Sequence, residues 1–173
     1  MNTAMTTALL LSAILLPLIG ALFAPLRHGR WLMTIAPLPA FAVALTIPST
    51  DTVTLDWVML GIRIAVDDTS RLLLMGSALM WIAAAFYAAA SQQRSSDLAR
   101  FQVFFQLAMT GNFVLLLAQD IVTFYLGFTL MGLCTYGIIA ERRSVSARYA
   151  GRLYLRWTIL GEVILFCARA LIE

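Results

Sequence analysis

The sequence predicts an all-α membrane protein of about six transmembrane helices, with a short β-hairpin on the outer face between the second and the third. Three observations carry that expectation. Apolar residues make up 61% of the 173 residues, charged ones only 12%, and mean hydropathy is +0.87, so there is too little charge to coat a soluble domain of this length. Apolar runs long enough to cross a hydrocarbon core of about 30 Å recur along the chain. The arginines, finally, collect in alternate connections between those runs. A single integral-membrane domain over 1–173 follows, with no room for a separate soluble one.

The first span is read at 7–26, with Pro17 inside it and Pro25 near its end. Neighbouring helices can satisfy the carbonyl that a membrane proline frees. No basic residue precedes this run, so it reads as a retained span and not as a cleaved leader. A basic turn with Arg27, His28 and Arg30 leads to a second span at 31–47, where Trp31 suits the interface and Pro37 and Pro39 predict a kink. Residues 51–68 alternate polar and apolar side chains on either side of Gly61, the period of a half-exposed hairpin at the membrane surface. Further spans follow at 70–90, 101–118, 121–140 and 150–172, separated by the polar connection 91–100 and the basic one around Arg142 and Arg143.

Orientation follows from the basic residues, all 12 of which are arginine. The first, third and fifth connections hold Arg27, Arg30, Arg94, Arg100, Arg142, Arg143, Arg148 and Arg152. The other side holds Arg63 and Arg71 beside Asp51, Asp56, Asp67 and Asp68. The positive-inside bias places the arginine-rich connections in the cytoplasm, and both termini and the hairpin on the periplasmic side of the inner membrane. Arg142, Arg143, Arg148 and Arg152 are then placed to meet anionic headgroups or an adjacent subunit. The net charge of +3 is therefore a topology signal, and nucleic acid is not among the expected partners.

Few residues offer chemistry. Glu162 lies near the middle of the last span, where an ionised carboxylate is costly unless paired or protonated, so it is the first candidate for an ion path. The bland alternative is a structural carboxyl that hydrogen-bonds a neighbouring helix. Arg169 lies seven residues further on, almost on the same face, whereas Arg156 is offset by roughly 120° around the helix. Asp120 opens the fifth span, as an N-terminal cap or as a member of a relay. Gln106 and Asn112 are expected to bridge helices, and Gly111, Gly127, Gly132 and Gly137 to let helices approach closely. Cys134 and Cys167 read as small buried hydrophobes. No nucleotide fingerprint, nucleophile–base set or metal-ligand spacing occurs, so neither a catalytic site nor a cofactor is expected.

Four stretches resemble, in order, the N-terminal part of the proton-conducting transporter family. That family takes in the antiporter-like subunits of respiratory complex I, the large Mrp antiporter subunits and membrane-bound hydrogenase subunits. The stretches are LGIRIAVDDTSRLLL at 60–74, NFVLLLAQDIVTFYLGF at 112–128, LMGLCTYGII at 130–139 and SARYAGRLYLRWTILGEVILF at 146–166. The resemblance implies a bundle of about fourteen helices built on two inverted five-helix repeats, each with a broken helix, of which this chain would supply helices one to six. It also implies an acid in the fifth helix, after a tryptophan, paired with a membrane lysine. Here Thr129 follows Phe128 at that place, and the chain has no lysine. The resemblance puts a family acid at Glu162, directly after Gly161. It therefore implies a truncated or split antiporter-like subunit of a larger proton- or cation-translocating complex (complex I-like, Mrp-like, hydrogenase-like or inorganic-carbon uptake). Such a subunit would not conduct protons alone, and a second chain would supply the missing helices. A non-conducting scaffold within such a complex is the other reading.

Overall fold

A computed structural model describes residues 3–25, 29–47, 52–55, 61–91, 98–140 and 144–170. Those residues are mostly helical, with one small antiparallel sheet. In chain order they form α1 (Thr3–Leu22), α2 (Gly29–Ile35), α3 (Leu38–Thr46), β1 (Thr52–Leu55), β2 (Ile62–Ala65), α4 (Asp68–Ser91), α5 (Leu98–Leu117), α6 (Ile121–Ala140) and α7 (Val145–Ala170). Four of the helices, α1, α4, α5 and α6, are long and apolar enough to cross a membrane. The protein is therefore a multi-pass membrane protein. Arg27, His28, Asp51, Asp56, Arg94, Arg142 and Arg143 lie outside the described residues.

Two of the six expected spans take a different form. The second is not one helix. Its last α2 bond runs from the Ala36 N–H to the Leu32 carbonyl, and the first bond of the next helix runs from the Phe41 N–H to the Pro37 carbonyl. Pro37 has no N–H to continue the ladder, while Pro39 falls in the first turn of α3, where no intrahelical N–H bond is needed. The sixth expected span forms α7, 26 residues long, but it is interrupted by Arg148, Arg152, Arg156, Glu162 and Arg169 and is not among the four helices of spanning apolarity.

The hairpin pairs Thr52 with Ala65, Val53 with Ile64, Thr54 with Arg63 and Leu55 with Ile62. Gly61, which leads into β2, has φ 89°, a left-handed conformation that costs a glycine nothing. After β2, Asp67 and Ser70 exchange hydrogen bonds and cap α4. The Asp67 Oδ1 accepts the Ser70 N–H at 2.6 Å, and the Ser70 Oγ accepts the Asp67 N–H at 2.8 Å. These bonds hold the Asp67 carboxyl below its ordinary value. One turn into α4, the Arg71 Nη2 donates to the Ile47 carbonyl at 2.6 Å, tying the start of α4 to the end of α3.

Helix α5 is the centre of the bundle and touches α1, α2, α4 and α6. The apolar core is built from α1–α5 and β2, around Leu10, Met33, Val43, Leu74, Met109 and Phe113. Helix α6 joins it through backbone contact. A Cβ on Gly111 would lie 2.5 Å from the Met131 nitrogen, and one on Gly127 would lie 2.6 Å from the Leu115 nitrogen. Helix α7 then packs antiparallel on α6. Gly151 meets Tyr136, Thr158 meets Gly132, and the rings of Phe166 and Tyr125 lie 6.0 Å apart.

A methyl group at Gly127 has backbone on both sides and nowhere to go, whereas Gly76 has nothing within 4 Å of its would-be Cβ. Gly127→Ala is expected to destabilise the bundle by about 1–3 kcal/mol. Gly76→Ala should leave it unchanged or raise it by up to about 1 kcal/mol through helix propensity. Thermal unfolding of the two variants in one detergent measures the difference.

Candidate functional site at the α6–α7 interface

Two residues singled out separately, Thr129 at the missing acid position and Glu162 as the first ion-path candidate, meet. Thr129, two turns into α6, donates its hydroxyl across the helix boundary to the Glu162 Oε1 at 3.0 Å. Thr135, on the same helix, bonds back to its own Met131 carbonyl at 2.8 Å, the usual habit of a helical threonine. Thr129 instead spends its donor on α7. Glu162 is half-buried and Thr129 is exposed, so the pair sits at the rim of the interface. A hydroxyl can stabilise a carboxylate, but its charge does not follow proton occupancy as that of an acid or amine does. The pair is a hydrogen bond and not an acid–base couple.

Asp120 caps α6 and does more than cap it. Its Oδ1 accepts the Thr123 N–H at 2.8 Å and its Oδ2 the Thr123 hydroxyl at 2.6 Å, a side-chain cap at the third helical residue. The same Oδ2 accepts the Arg63 N–H of β2 at 3.0 Å, and the Gln119 N–H donates to the Arg63 carbonyl at 2.9 Å. Ile64 and Ala118 form a bridge beside them. The α5–α6 connection thus extends the hairpin edge by one short rung. Burial raises the Asp120 carboxyl, but hydrogen bonds from Thr123, Arg63 and Val122 outweigh it and hold the group below its ordinary value.

A cavity of about 220 Å³ lies beside this cap, lined by Gln119, Asp120, Phe124 and Tyr125 of one side and Leu165 of α7. Tyr125 is one turn of α6 from Thr129, so the cavity ends a turn short of the Thr129–Glu162 bond. The remaining candidates are not drawn in. Arg156 is exposed, away from Glu162. Arg169 lies in α7, and its side chain is outside the described residues.

The amides divide. The Asn112 Oδ1 accepts the Trp81 Nε1–H of α4 at 3.0 Å and the Ser77 hydroxyl, and its Nδ2 faces the Met131 sulfur of α6 at 3.6 Å, so it does bridge three helices. Gln106 is fully buried against Gly20 of α1, and neither its Nε2 nor its Oε1 has a partner. Ser77 and Trp81 gave no sign of these roles in the sequence. An apolar–polar pattern does not say which amide finds a mate. Gly132 and Gly137 face the Thr158 and Phe104 side chains, so a larger residue at either would press on α7 or α5. Cys134 is buried, but Cys167 is exposed on α7, contrary to the expectation of burial, because no described element covers that face. Among the described residues no group of three His, Cys, Asp or Glu could hold a metal ion.

Comparison with family models places this interface. The model described as "NADH:quinone oxidoreductase/Mrp antiporter, TM" matches residues 118–172. Residues 118–172 are similar to the membrane segment that this model describes. The segment takes in Asp120, Thr129, Arg156, Glu162 and Arg169, and Gly127, Gly132 and Gly137. Of the four stretches that carried the resemblance, 60–74 lies outside it. No curated protein matches the chain.

A carboxyl held below its ordinary value contributes stability that is present above the unfolded range near pH 4 and is lost as pH falls through the folded value. Asp120→Ala should therefore cost about 1–2 kcal/mol at neutral pH. The gap from the unchanged protein should narrow as pH falls below the unfolded range near 4. Melting curves of the pair across pH in detergent test the sign. A gap that widens in acid contradicts it.

Proposed function

We propose that the protein is a split antiporter-like membrane subunit of a larger proton- or cation-translocating complex, and that it does not conduct protons alone. The Thr129–Glu162 hydrogen bond carries this reading. In the place where the family resemblance puts an acid, the chain offers a hydroxyl to Glu162, and all 12 of its basic residues are arginine, which stays charged. Glu162 is the half-buried carboxyl that this hydroxyl meets at the α6–α7 interface. The 173 residues include no lysine to exchange a proton with it. Asp120, Arg156 and Arg169 are the further ion-path candidates, with the cavity between Asp120 and Tyr125 as the approach from one side.

The register of α7 supports the six-crossing topology. Its contacts with α6 run from Gly151 against Tyr136 to Phe166 against Tyr125, so it traverses whatever α6 traverses, charged or not. The broken α2–α3 unit supplies the second crossing in the same scheme. The arginine bias then puts both termini and the hairpin on the periplasmic side of an inner membrane, in one integral domain over 1–173. The partners are other membrane subunits, one of which carries the helices that cover α7. Members of this family are membrane subunits of multi-subunit complexes, which supports such an assembly.

One observation favours the scaffold reading. The Glu162 carboxylate already has a hydrogen-bond donor within the chain, as a structural carboxyl would. Glu162→Gln separates the two. The variant keeps the Thr129 hydrogen bond but cannot ionise. On the first reading it lowers ion-coupled turnover of the assembled complex by roughly tenfold or more, with subunit composition unchanged. Unchanged turnover in a fully assembled complex leaves the scaffold.

A further inference from the structure

Two carboxamides lie one turn apart on the side of α5 that meets α1. Gln106 packs on Gly20 of α1, and Gln102, four residues earlier, shares that side of the helix. With Thr110, the next residue in the same spacing, they are 2%, 0% and 3% exposed in chain order. The facing stripe of α1 is built from small residues, with Ala13, Pro17, Gly20 and Ala21 all buried. Even a methyl group on Gly20 would run into the Gln106 carboxamide.

The Thr110 hydroxyl already donates to the Gln106 main-chain carbonyl at 2.9 Å. The carboxamides are not so placed. Among the described residues, the Gln102 Nε2 and the Gln106 Nε2 and Oε1 have no hydrogen-bond partner. Pro17 leaves a further acceptor on the facing helix, because it brings no N–H to the buried Ala13 carbonyl.

A polar group left unmet inside a bundle that hydrocarbon surrounds is costly. The same bundle meets Asn112 with groups from two other helices. The unmet set also defines what would fit it. The two Nε2 groups are donors, the Gln106 Oε1 and the Ala13 carbonyl are acceptors, and none of them carries a charge. A cation calls for acceptors only and an anion for donors only, whereas water gives and takes. Side chains four apart on a helix stand about 5–6 Å apart at Cβ, a span that one bridging water closes.

We propose that the α1–α5 seam binds ordered water between Gln102 and Gln106, which accepts from the Gln102 Nε2 and donates to the Gln106 Oε1. The site has a floor. Past Thr110 the inward positions of α5 are Phe113 and Leu117, both fully buried in one apolar core with Leu10. Hydration is therefore confined to the half of the seam nearer Leu98. It is separate from the Thr129–Glu162 pair and does not depend on the assembly proposed above.

The test uses the full chain in its native membranes, given a short X-ray pulse in water enriched in heavy oxygen. Radicals formed from bound water label the side chains beside it, and mass spectrometry reads the labelled positions. Met109 is fully buried one turn past Gln106, so radicals from bulk water do not reach it. It is expected to take up label. Gln102→Leu combined with Gln106→Leu should lower that uptake by roughly tenfold, with the exposed Tyr149 as internal standard. Thermal melting supplies the second reading. Either leucine alone strands the other carboxamide and should lower the melting temperature, and the double variant should recover part of the loss. An unlabelled Met109 in the unchanged protein overturns the proposal, even where no variant folds. Uptake indifferent to the two leucines does the same, as do single leucines that each raise the melting temperature additively. Coupled melting without label at Met109 means a direct bond between the carboxamides, and that also overturns it.

Discussion

The structure depends on the close approach of α5 and α6. Between helices in a bilayer there is no hydrophobic gain to be had from leaving lipid, so association rests on van der Waals fit and on hydrogen bonds between helices. Gly111 and Gly127 provide the fit, since each takes the backbone of the other helix where a side chain would stand. Asn112, next to one of those glycines, provides the hydrogen bonds, reaching Ser77 and Trp81 on α4 and the Met131 sulfur on α6. The core of α1–α5 is thereby joined to the α6–α7 pair, which contributes little to that core itself.

Asp120 sits where these two parts and the hairpin meet. One carboxylate caps α6 and anchors β2, and the main-chain bond from Gln119 to Arg63 completes the joint. The consequence reaches the candidate site. By setting where α6 begins, the joint sets which α6 residue faces Glu162 two turns further on, and that residue is Thr129. The cap and relay uses of Asp120 therefore differ in kind. Capping follows from bonds made at the helix end, while any relay depends on the small cavity beside it.

Helix α7 is the element whose composition and position disagree. Four arginines and an acid lie along it, yet it follows α6 in antiparallel register over most of its length. Its inner stripe is satisfied by small residues, a hydroxyl and an aromatic contact. Its outer stripe joins charge to large exposed aliphatic side chains.

Much of this was legible in the residues. The membrane class, the hairpin alternation around Gly61 and the cap at Asp120 follow from local rules, because each is decided by a residue and its near neighbours in the chain. The division of the second apolar stretch at Pro37 was signalled by its prolines. Other features were beyond that reach. Nothing local distinguishes Asn112, which finds three partners, from Gln106, which finds none, or Cys134, which is covered, from Cys167, which is not. The sequence by itself determined how many apolar segments there are and where each can begin. Only the tertiary structure decided that Thr129 meets Glu162 and that Arg156 faces outward, because those depend on the rotation of α7 against α6, a quantity set by contacts between two helices and not within either.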